Sequence, residues 1–165
     1  MAFFTGRTGS LSFGVNTAAQ TEGPSSALTA PTTILPVAKI RDWSLDTTVE
    51  LISTNSIDSG FNTFTPGVKG ATGSATLVYY RLSTAETTAG ELSQFTGLLN
   101  RLMKTGSIEE SDRAFFELNV GGGDADDIKF WGYITSASVS VSTNELSVVP
   151  IQFTMDGDFV ETITA

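Results

Sequence analysis

Apolar and polar residues alternate along much of this chain, as they do in strands with one buried face. The clearest stretch is 33–53, where Trp43, Leu45 and Val49 share one face while Asp46 and Glu50 lie on the other. Other strand-like stretches are 7–14, 74–82, 114–120, 128–142 and 146–159. The pattern therefore predicts six or seven strands.

One segment has helical periodicity instead. Thr88 and Glu91 form a capping box, and Gly106 supplies a stop signal after residue 105. The apolar residues that follow at helical spacing are Leu92, Phe95, Leu98, Leu99, Leu102 and Met103. We expect a helix over 88–105 whose apolar side packs on a sheet. The predicted fold is mainly β, an antiparallel sandwich or half-open barrel with one flanking α-helix, in a single domain covering 1–165.

Two segments interrupt the regular pattern. Residues 15–33 are mostly Ala, Thr, Ser, Gly and Pro, so residues 1–33 are predicted to be a short strand and an arm. Residues 54–73 are also rich in loop-forming residues, yet they carry four large apolar side chains, Ile57, Phe61, Phe64 and Val68. A solvated loop does not need such side chains, so we predict an extended interaction loop over 54–73.

Composition excludes most enzyme chemistry. The chain has no histidine and no cysteine, which excludes thiolate nucleophiles, histidine bases and zinc sites built from Cys or His. We expect no catalytic residues, no cofactor and no metal. The triplet Gly121 to Gly123 before Asp124, Asp126 and Asp127 resembles a calcium loop only weakly, because it lacks the glycine and the distal glutamate of an EF-hand. We interpret it as a solvated turn.

Charge narrows the possible partners. The formal net charge is -9, and residues 105–165 hold the whole acidic excess, with only Arg113 and Lys129 as bases. Such a chain lacks the clustered lysines and arginines with which proteins grip phosphate. No apolar run approaches the ~18 residues of a membrane helix, so no membrane partner is expected.

Several fragments, in order and spacing, resemble the tail tube (major tail) proteins of tailed bacteriophages. They are FTGRTGSL at 4–11, VAKIRDWSL at 37–45 followed by VE at 49–50, TPG at 65–67, GSAT at 73–76 and FTMDG at 153–157. The resemblance spans most of the chain, with residues 15–33 as an insertion. It implies hexameric rings that stack into a hollow virion tube, whose sheets join between subunits and through which DNA passes during ejection without specific binding.

The resemblance also implies partners and places for residues. The expected partners are further copies of the chain, a tape-measure protein, a terminator and, in some tails, a sheath, with assembly in the host cytoplasm. By alternation, the candidates for lining an acidic bore are Asp46, Glu50, Asp156 and Asp158. The candidates for contacts between subunits and rings are Phe3, Phe4, Ile57, Phe61, Phe64 and Val68.

A carbohydrate- or receptor-binding β-sandwich of a virion remains the alternative. In that case Trp43 or Trp131 would be a platform for stacking on sugar rings. Trp43 shares a face with Leu45 and Val49, which favours core packing, whereas Trp131 lies beside Phe130 and is open to either interpretation.

Overall fold

A computed structural model describes residues 10–15, 34–36, 40–54, 60–78, 102–109, 112–121, 127–140 and 148–163. These residues form seven strands: β1 Ser10–Val15, β2 Ile34–Pro36, β3 Ile40–Ser53, β4 Phe64–Val78, β5 Ala114–Asn119, β6 Asp127–Ala137 and β7 Val148–Glu161. All seven belong to one sheet with the order β2-β1-β5-β6-β7-β4-β3, and every neighbouring pair is antiparallel. The sheet does not close into a barrel. The predicted mainly β, antiparallel fold is thus confirmed.

Two predicted boundaries were wrong. Strand β4 begins at Phe64, so residues 64–73 lie in a strand and not in the interaction loop predicted over 54–73. These residues read FTPGVKGATG, and their glycines and small residues hide the alternation. Their strand conformation comes from pairing with β3 and, at Thr72 and Gly73, also with β7. Strand β6 ends at Ala137, five residues before the predicted end at 142, and residues 138–140 are not in a strand.

Little of the predicted helix lies within the described residues. Leu102 and Met103 are helical; Leu92, Phe95, Leu98 and Leu99 lie outside the described part of the chain. Leu102 packs against the core, whereas Met103 is 60% exposed. Gly106 has a φ of 110°, a left-handed conformation that favours glycine and fits its predicted role as a stop signal.

The core lies on one face of the sheet and is built around stacked aromatic rings. Phe116, Phe130 and Phe153 contact one another, with ring centroids 4.7 Å, 5.5 Å and 5.9 Å apart, and Phe159 meets Phe130 edge-on at 5.9 Å. Such pairs each contribute about 0.5–1.5 kcal/mol beyond burial of their area. Strands β5, β6 and β7 are therefore held together by aromatic packing as well as by backbone ladders.

Gly73 makes room for this aromatic cluster. It pairs with Leu45 on one side and Phe153 on the other. A Cβ at Gly73 would lie 2.5 Å from both Phe153 Cζ and the Ser44 carbonyl oxygen, far inside van der Waals contact. A glycine is required here because the Phe153 ring lies over the backbone of β4.

Phe115 and Trp131 form a second buried pair on the opposite face. Both side chains are 0% exposed, they are cross-strand partners, and their rings meet edge-on at 5.1 Å. The Arg113 guanidinium lies 5.3 Å from the centre of the Trp131 ring. Trp131 is therefore a packing residue and is closed to a sugar ring, while Trp43 packs, half-buried, against the main core.

Candidate functional site

A two-stranded ribbon projects from the sheet. Strand β4 pairs with β7 only from Thr72 onward, whereas β3 and β4 continue to pair with each other as far as Ser53 and Phe64. We call residues 47–54 and 60–70 the arm; it is a different segment from the N-terminal arm predicted within residues 1–33. Beyond the body of the sheet, each strand of the arm has only the other as a ladder partner within the described chain. Nearly all residues of the arm are exposed to solvent, on both of its faces.

Apolar side chains cover the arm instead of polar ones. Val49, Leu51 and Phe64 are 48%, 62% and 57% exposed, and the register places them on the face that continues the core side. Ile52 is 50% exposed and lies on the opposite face; Val68, at the β-bulge opposite Glu50, is 76% exposed. Phe61 at the tip is 84% exposed. An apolar surface of this kind on both sides of a ribbon is typical of an interaction element.

An ion pair fixes the base of the arm. Lys69 Nζ contacts Asp158 Oδ1 on β7 and lies 5.5 Å from the centre of the Phe159 ring. The bond from Lys69 and the Phe159 N–H hold the pKa of Asp158 below its ordinary value. This stabilisation is present at neutral pH and is lost as the pH falls through the lowered pKa. It is small because Asp158 is exposed to solvent.

A second feature is a polar face on the four strands β3, β4, β7 and β6. The registers align Ser44, Ser74, Gln152 and Ser136 in one row across these strands. Ser44, Ser74 and Gln152 of this row line a shallow depression, together with the hydroxyl side chains of Thr72, Thr135 and Thr154 and the carboxylate of Asp46, among others. Ser44 and Ser74 bond to each other through their hydroxyls at 3.0 Å. The face is broad, hydroxylated and open to solvent.

The four acids predicted to line a bore differ in their environment. Asp46 is exposed and lies on the polar face, and Glu50 is exposed farther along the same strand. Asp156 accepts a 2.8 Å bond from Arg113 Nη1, and Asp158 is paired with Lys69. Within the described residues, no ion pair involves Asp46 or Glu50. The uncompensated negative charge of these four therefore rests on Asp46 and Glu50, and the bore itself stays a prediction.

Only some of the residues predicted to make contacts between subunits and rings lie within the described part of the chain. Phe61, Phe64 and Val68 lie together on the arm and are exposed. Phe3, Phe4 and Ile57 lie outside the described residues. The sequence pattern missed Val49, Leu51 and Ile52 as contact residues, and alternation placed Val49 on the core face with Trp43. They lie beyond Thr72↔Thr154, the last pair between β4 and β7, in the part of β3 and β4 that leaves the body of the sheet.

The sequence did not predict the cluster around Lys129. Lys129 Nζ lies 2.7 Å from Glu161, 3.2 Å from Asp127 and 3.8 Å from Glu117, and Asn119 donates a 2.6 Å bond to Asp127. The Glu161 carboxylate, with help from the other two, raises the pKa of Lys129 well above its ordinary value. Lys129 is therefore fully charged at neutral pH, and its stabilising effect is lost only as the pH rises through that raised pKa.

Replacing this lysine should destabilise the fold. We expect Lys129→Met to lower the free energy of unfolding by about 1–3 kcal/mol at pH 7, since Asp127 and its neighbours lose a charged donor. The deficit should be the same at about pH 9, because the raised pKa keeps Lys129 charged there. Urea unfolding at the two pH values measures it, with Lys69→Met, an exposed pair worth at most ~1 kcal/mol, as the control. A deficit that disappears at the higher pH would contradict this account.

Other charged groups have ordinary structural roles. Asp112 is paired with Lys104 and accepts a 2.8 Å bond from the Glu109 N–H, as expected for a turn after a helix. Over the described ranges, no cluster of acidic side chains is suited to hold a metal ion. Residues 122–126, which contain most of the calcium-like sequence, lie outside those ranges. In the part of the chain that the structure describes, no helix is long and apolar enough to span a bilayer.

Solved structures with the same architecture come from phage-like tails. One is a chain of the SPP1 tail tube, with a TM-score of 0.59, 10% sequence identity, and coverage of 98% of this chain and 80% of that chain. A second belongs to the virion of a native gene transfer agent particle, with a TM-score of 0.55, 16% identity, and coverage of 80% and 89%. The chain has the tail-tube fold.

A third solved structure with the same fold comes from a baseplate. It is a chain of the anti-feeding prophage baseplate, with a TM-score of 0.59, 7% identity, and coverage of 100% of this chain and 99% of that chain. No protein-family model and no curated protein sequence matches the chain. At these identities the similarity concerns the fold, and it agrees with the resemblance drawn from the sequence fragments.

Proposed function

We propose that this protein is a structural subunit of a phage-type tail tube and that it assembles as stacked hexameric rings. The observation that carries the proposal is the arm, a ribbon with apolar side chains exposed on both faces. Complete burial of an exposed large apolar side chain contributes about 1.5–3 kcal/mol, and a side chain that is half exposed gains roughly half of that. Several of them, repeated in every copy, supply the driving force for stacking one ring on the next.

The sources of the similar structures support this role. They come from a tail tube, a virion and a baseplate, and a further one, with a TM-score of 0.51 and 18% identity, comes from the tail of an empty gene transfer agent particle with C6 symmetry. We propose a virion tail location for this chain, assembly in the host cytoplasm, and contacts with tape-measure, terminator and sheath-type proteins. The role is structural, not enzymatic.

The polar face is the proposed wall of the bore. Its small hydroxyl side chains offer few strong contacts to a duplex, and Asp46 and Glu50 repel phosphate. A protein that holds DNA does so by neutralising phosphates with lysine and arginine, so a wall without them lets DNA slide. Arg113 and Lys69 lie near this region, but each is paired with an aspartate. We propose that the lumen conducts DNA without binding it specifically.

Electron microscopy of the purified protein tests the assembly. We expect rings or tubes whose averaged end views have sixfold symmetry and a central hole. Discrete monomers at high protein concentration would reject the proposal and favour a dispersed binding module. The burial of Trp131 already removes one of the two aromatic platforms on which that alternative depended.

Labelling in the assembled state tests the wall. The chain has no cysteine, so Asp46→Cys introduces a unique thiol to which a heavy-atom cluster can be attached. We expect the label density inside the bore, whereas Ser107→Cys, exposed in the turn after the helical residues, serves as the comparison site. Label density for Asp46→Cys on the outer surface of the tube would refute the proposed orientation.

A further inference from the structure

Two stretches of strand edge in this sheet have no partner in the described chain. One is the outer edge of β3, which is the last strand of the sheet. Its pairing with β4 runs without a register shift from Asp42 to Val49, so this edge is regular. It contains neither proline nor lysine, which are common means of blocking an exposed edge. A long regular edge of this kind is a template for another strand.

The second unpaired edge is the end of β6. Strand β5 pairs with β6 only as far as Gly132, opposite Ala114. Strand β7 continues beside β6 to Ala137, and the Ser138 N–H then donates a 3.1 Å bond to the Pro150 carbonyl. Residues 134–138 therefore have a ladder partner on one side only. The edge at the opposite end of the sheet is β2, which is short and contains Pro36.

We propose that the β3 edge of one copy pairs with residues 134–138 of β6 in the next copy. The inference rests on the proposed ring assembly and specifies which edges join. The two edges belong to the first and the last of four neighbouring strands, β6, β7, β4 and β3, and these strands alternate in direction. Because the number is even, β3 of one copy runs antiparallel to β6 of the next. The ladder then continues across the junction in the same antiparallel form.

The alignment of side chains supports the same junction. Ser44 on β3 and Ser136 on β6 lie in one row across the sheet and on the same face. Joining the two edges therefore continues the polar face on one side and the apolar face on the other. A shift of the β3 to β6 register by one residue would place polar side chains on the apolar face. Registers that differ from this alignment by an even number of residues are therefore favoured. Closed barrels need a stagger, and β3 is long enough to provide one.

A symmetric β3 to β3 junction is the main alternative. It would pair the same edge in two copies and give a closed dimer, because an isologous contact occupies the same surface on both copies and leaves none for a third. It would also leave both β6 edges open. The β3 to β6 junction is heterologous, satisfies both edges and repeats from copy to copy, as a ring requires.

Disulfide cross-linking in the cysteine-free chain tests the junction. Ser136→Cys is combined with a single cysteine on β3, at Ser44, Asp46 or Thr48, which share the polar face and differ by two-residue steps. Within one chain, Ser136 and Ser44 are three strand spacings apart, roughly 14 Å. That exceeds the ~7 Å limit for a disulfide, so any bond must join two copies. We expect at least one pair to give a ladder of covalent oligomers on oxidation.

The control variants separate the possible outcomes. Gln152→Cys, on an interior strand of the same face, replaces Ser136→Cys and should give no ladder. A dimer from Ser44→Cys alone would establish β3 to β3 pairing and overturn the proposal. Sixfold rings that form without any cross-link at the three β3 positions would overturn the edge assignment and leave the tube function intact. Absence of any assembly in the unmodified protein would overturn both.

Hydrogen exchange on the unmodified chain gives an independent readout. Amides of residues 42–49 and 134–138 should exchange more slowly in the assembly than in the dispersed protein, by at least tenfold at the positions that face the junction. Amides in the middle of β7 are already paired on both sides and serve as the internal control. Unchanged exchange at both edges on assembly would contradict the junction.

Discussion

Ile52→Glu is expected to abolish polymerisation while leaving the monomer folded. Ile52 is 50% exposed on the arm, so a charge there costs the isolated chain little. In an assembled tube the same position would be buried, and an unpaired buried carboxylate costs several kcal/mol per copy. Repetition around and along the tube makes the loss complete. Sedimentation and electron microscopy measure the polymer, and circular dichroism measures the fold.

Ile163→Glu is the matched control. Ile163 is also an isoleucine, 51% exposed, but it follows β7 and lies outside the arm. We expect this variant to polymerise like the unmodified chain. The double variant Leu51→Glu/Phe64→Glu, on the other face of the arm, should fail to polymerise as Ile52→Glu does. Normal tubes from both arm variants would show that the arm is not an assembly element.

Phe153→Ala is expected to cause the largest loss of stability. The ring is 1% exposed and stacks on Phe116 at 4.7 Å between centroids, so its removal leaves a cavity among β4, β6 and β7. Truncation of a buried phenylalanine costs about 3–5 kcal/mol, which is a large part of the stability of a domain of this size. Urea unfolding at a protein concentration low enough to keep the chain dispersed measures the difference without the contribution of assembly.

The comparison residue is Phe64, which is 57% exposed on the arm. We expect Phe64→Ala to change the free energy of unfolding by less than about 0.5 kcal/mol but to weaken polymerisation. The two phenylalanines should thus show opposite patterns, one affecting the fold and the other the assembly. A loss below 1 kcal/mol for Phe153→Ala, or equal losses for both variants, would contradict the assignment of core and contact residues.

The sequence predicted the parts of the fold that depend on local alternation. Strand β7 was recognised within two residues at each end because buried apolar residues alternate with more exposed ones, mostly polar, along it. Strand β5 was recognised as a short, buried run rich in large apolar residues. The first part of β4 was missed because its glycines and hydroxyls carry no periodic signal, and its strand conformation comes from pairing with β3. The order of the strands in the sheet also cannot be predicted from local alternation, since β1 and β5 are distant in sequence yet adjacent in the sheet.

The candidate site was only partly predictable for the same reason. Alternation identified Asp46 on a polar face and the unusual apolar content near Phe61 and Phe64. It could not separate the covered from the exposed half of β3, so it assigned Val49 to the core with Trp43. Which acids are neutralised was also beyond the sequence, because Arg113 reaches Asp156 across 43 positions.

Gly73 and Phe153 have a consequence for how such a chain can diverge. An aromatic ring at 153 leaves no space for a side chain at 73, and a side chain at 73 leaves no space for the ring. In homologous sequences the two positions should therefore change together, with glycine at 73 accompanying an aromatic residue at 153. A smaller residue at 153 relieves only the ring contact, because the Ser44 carbonyl still opposes a Cβ, so that exchange requires an adjustment of β3 as well.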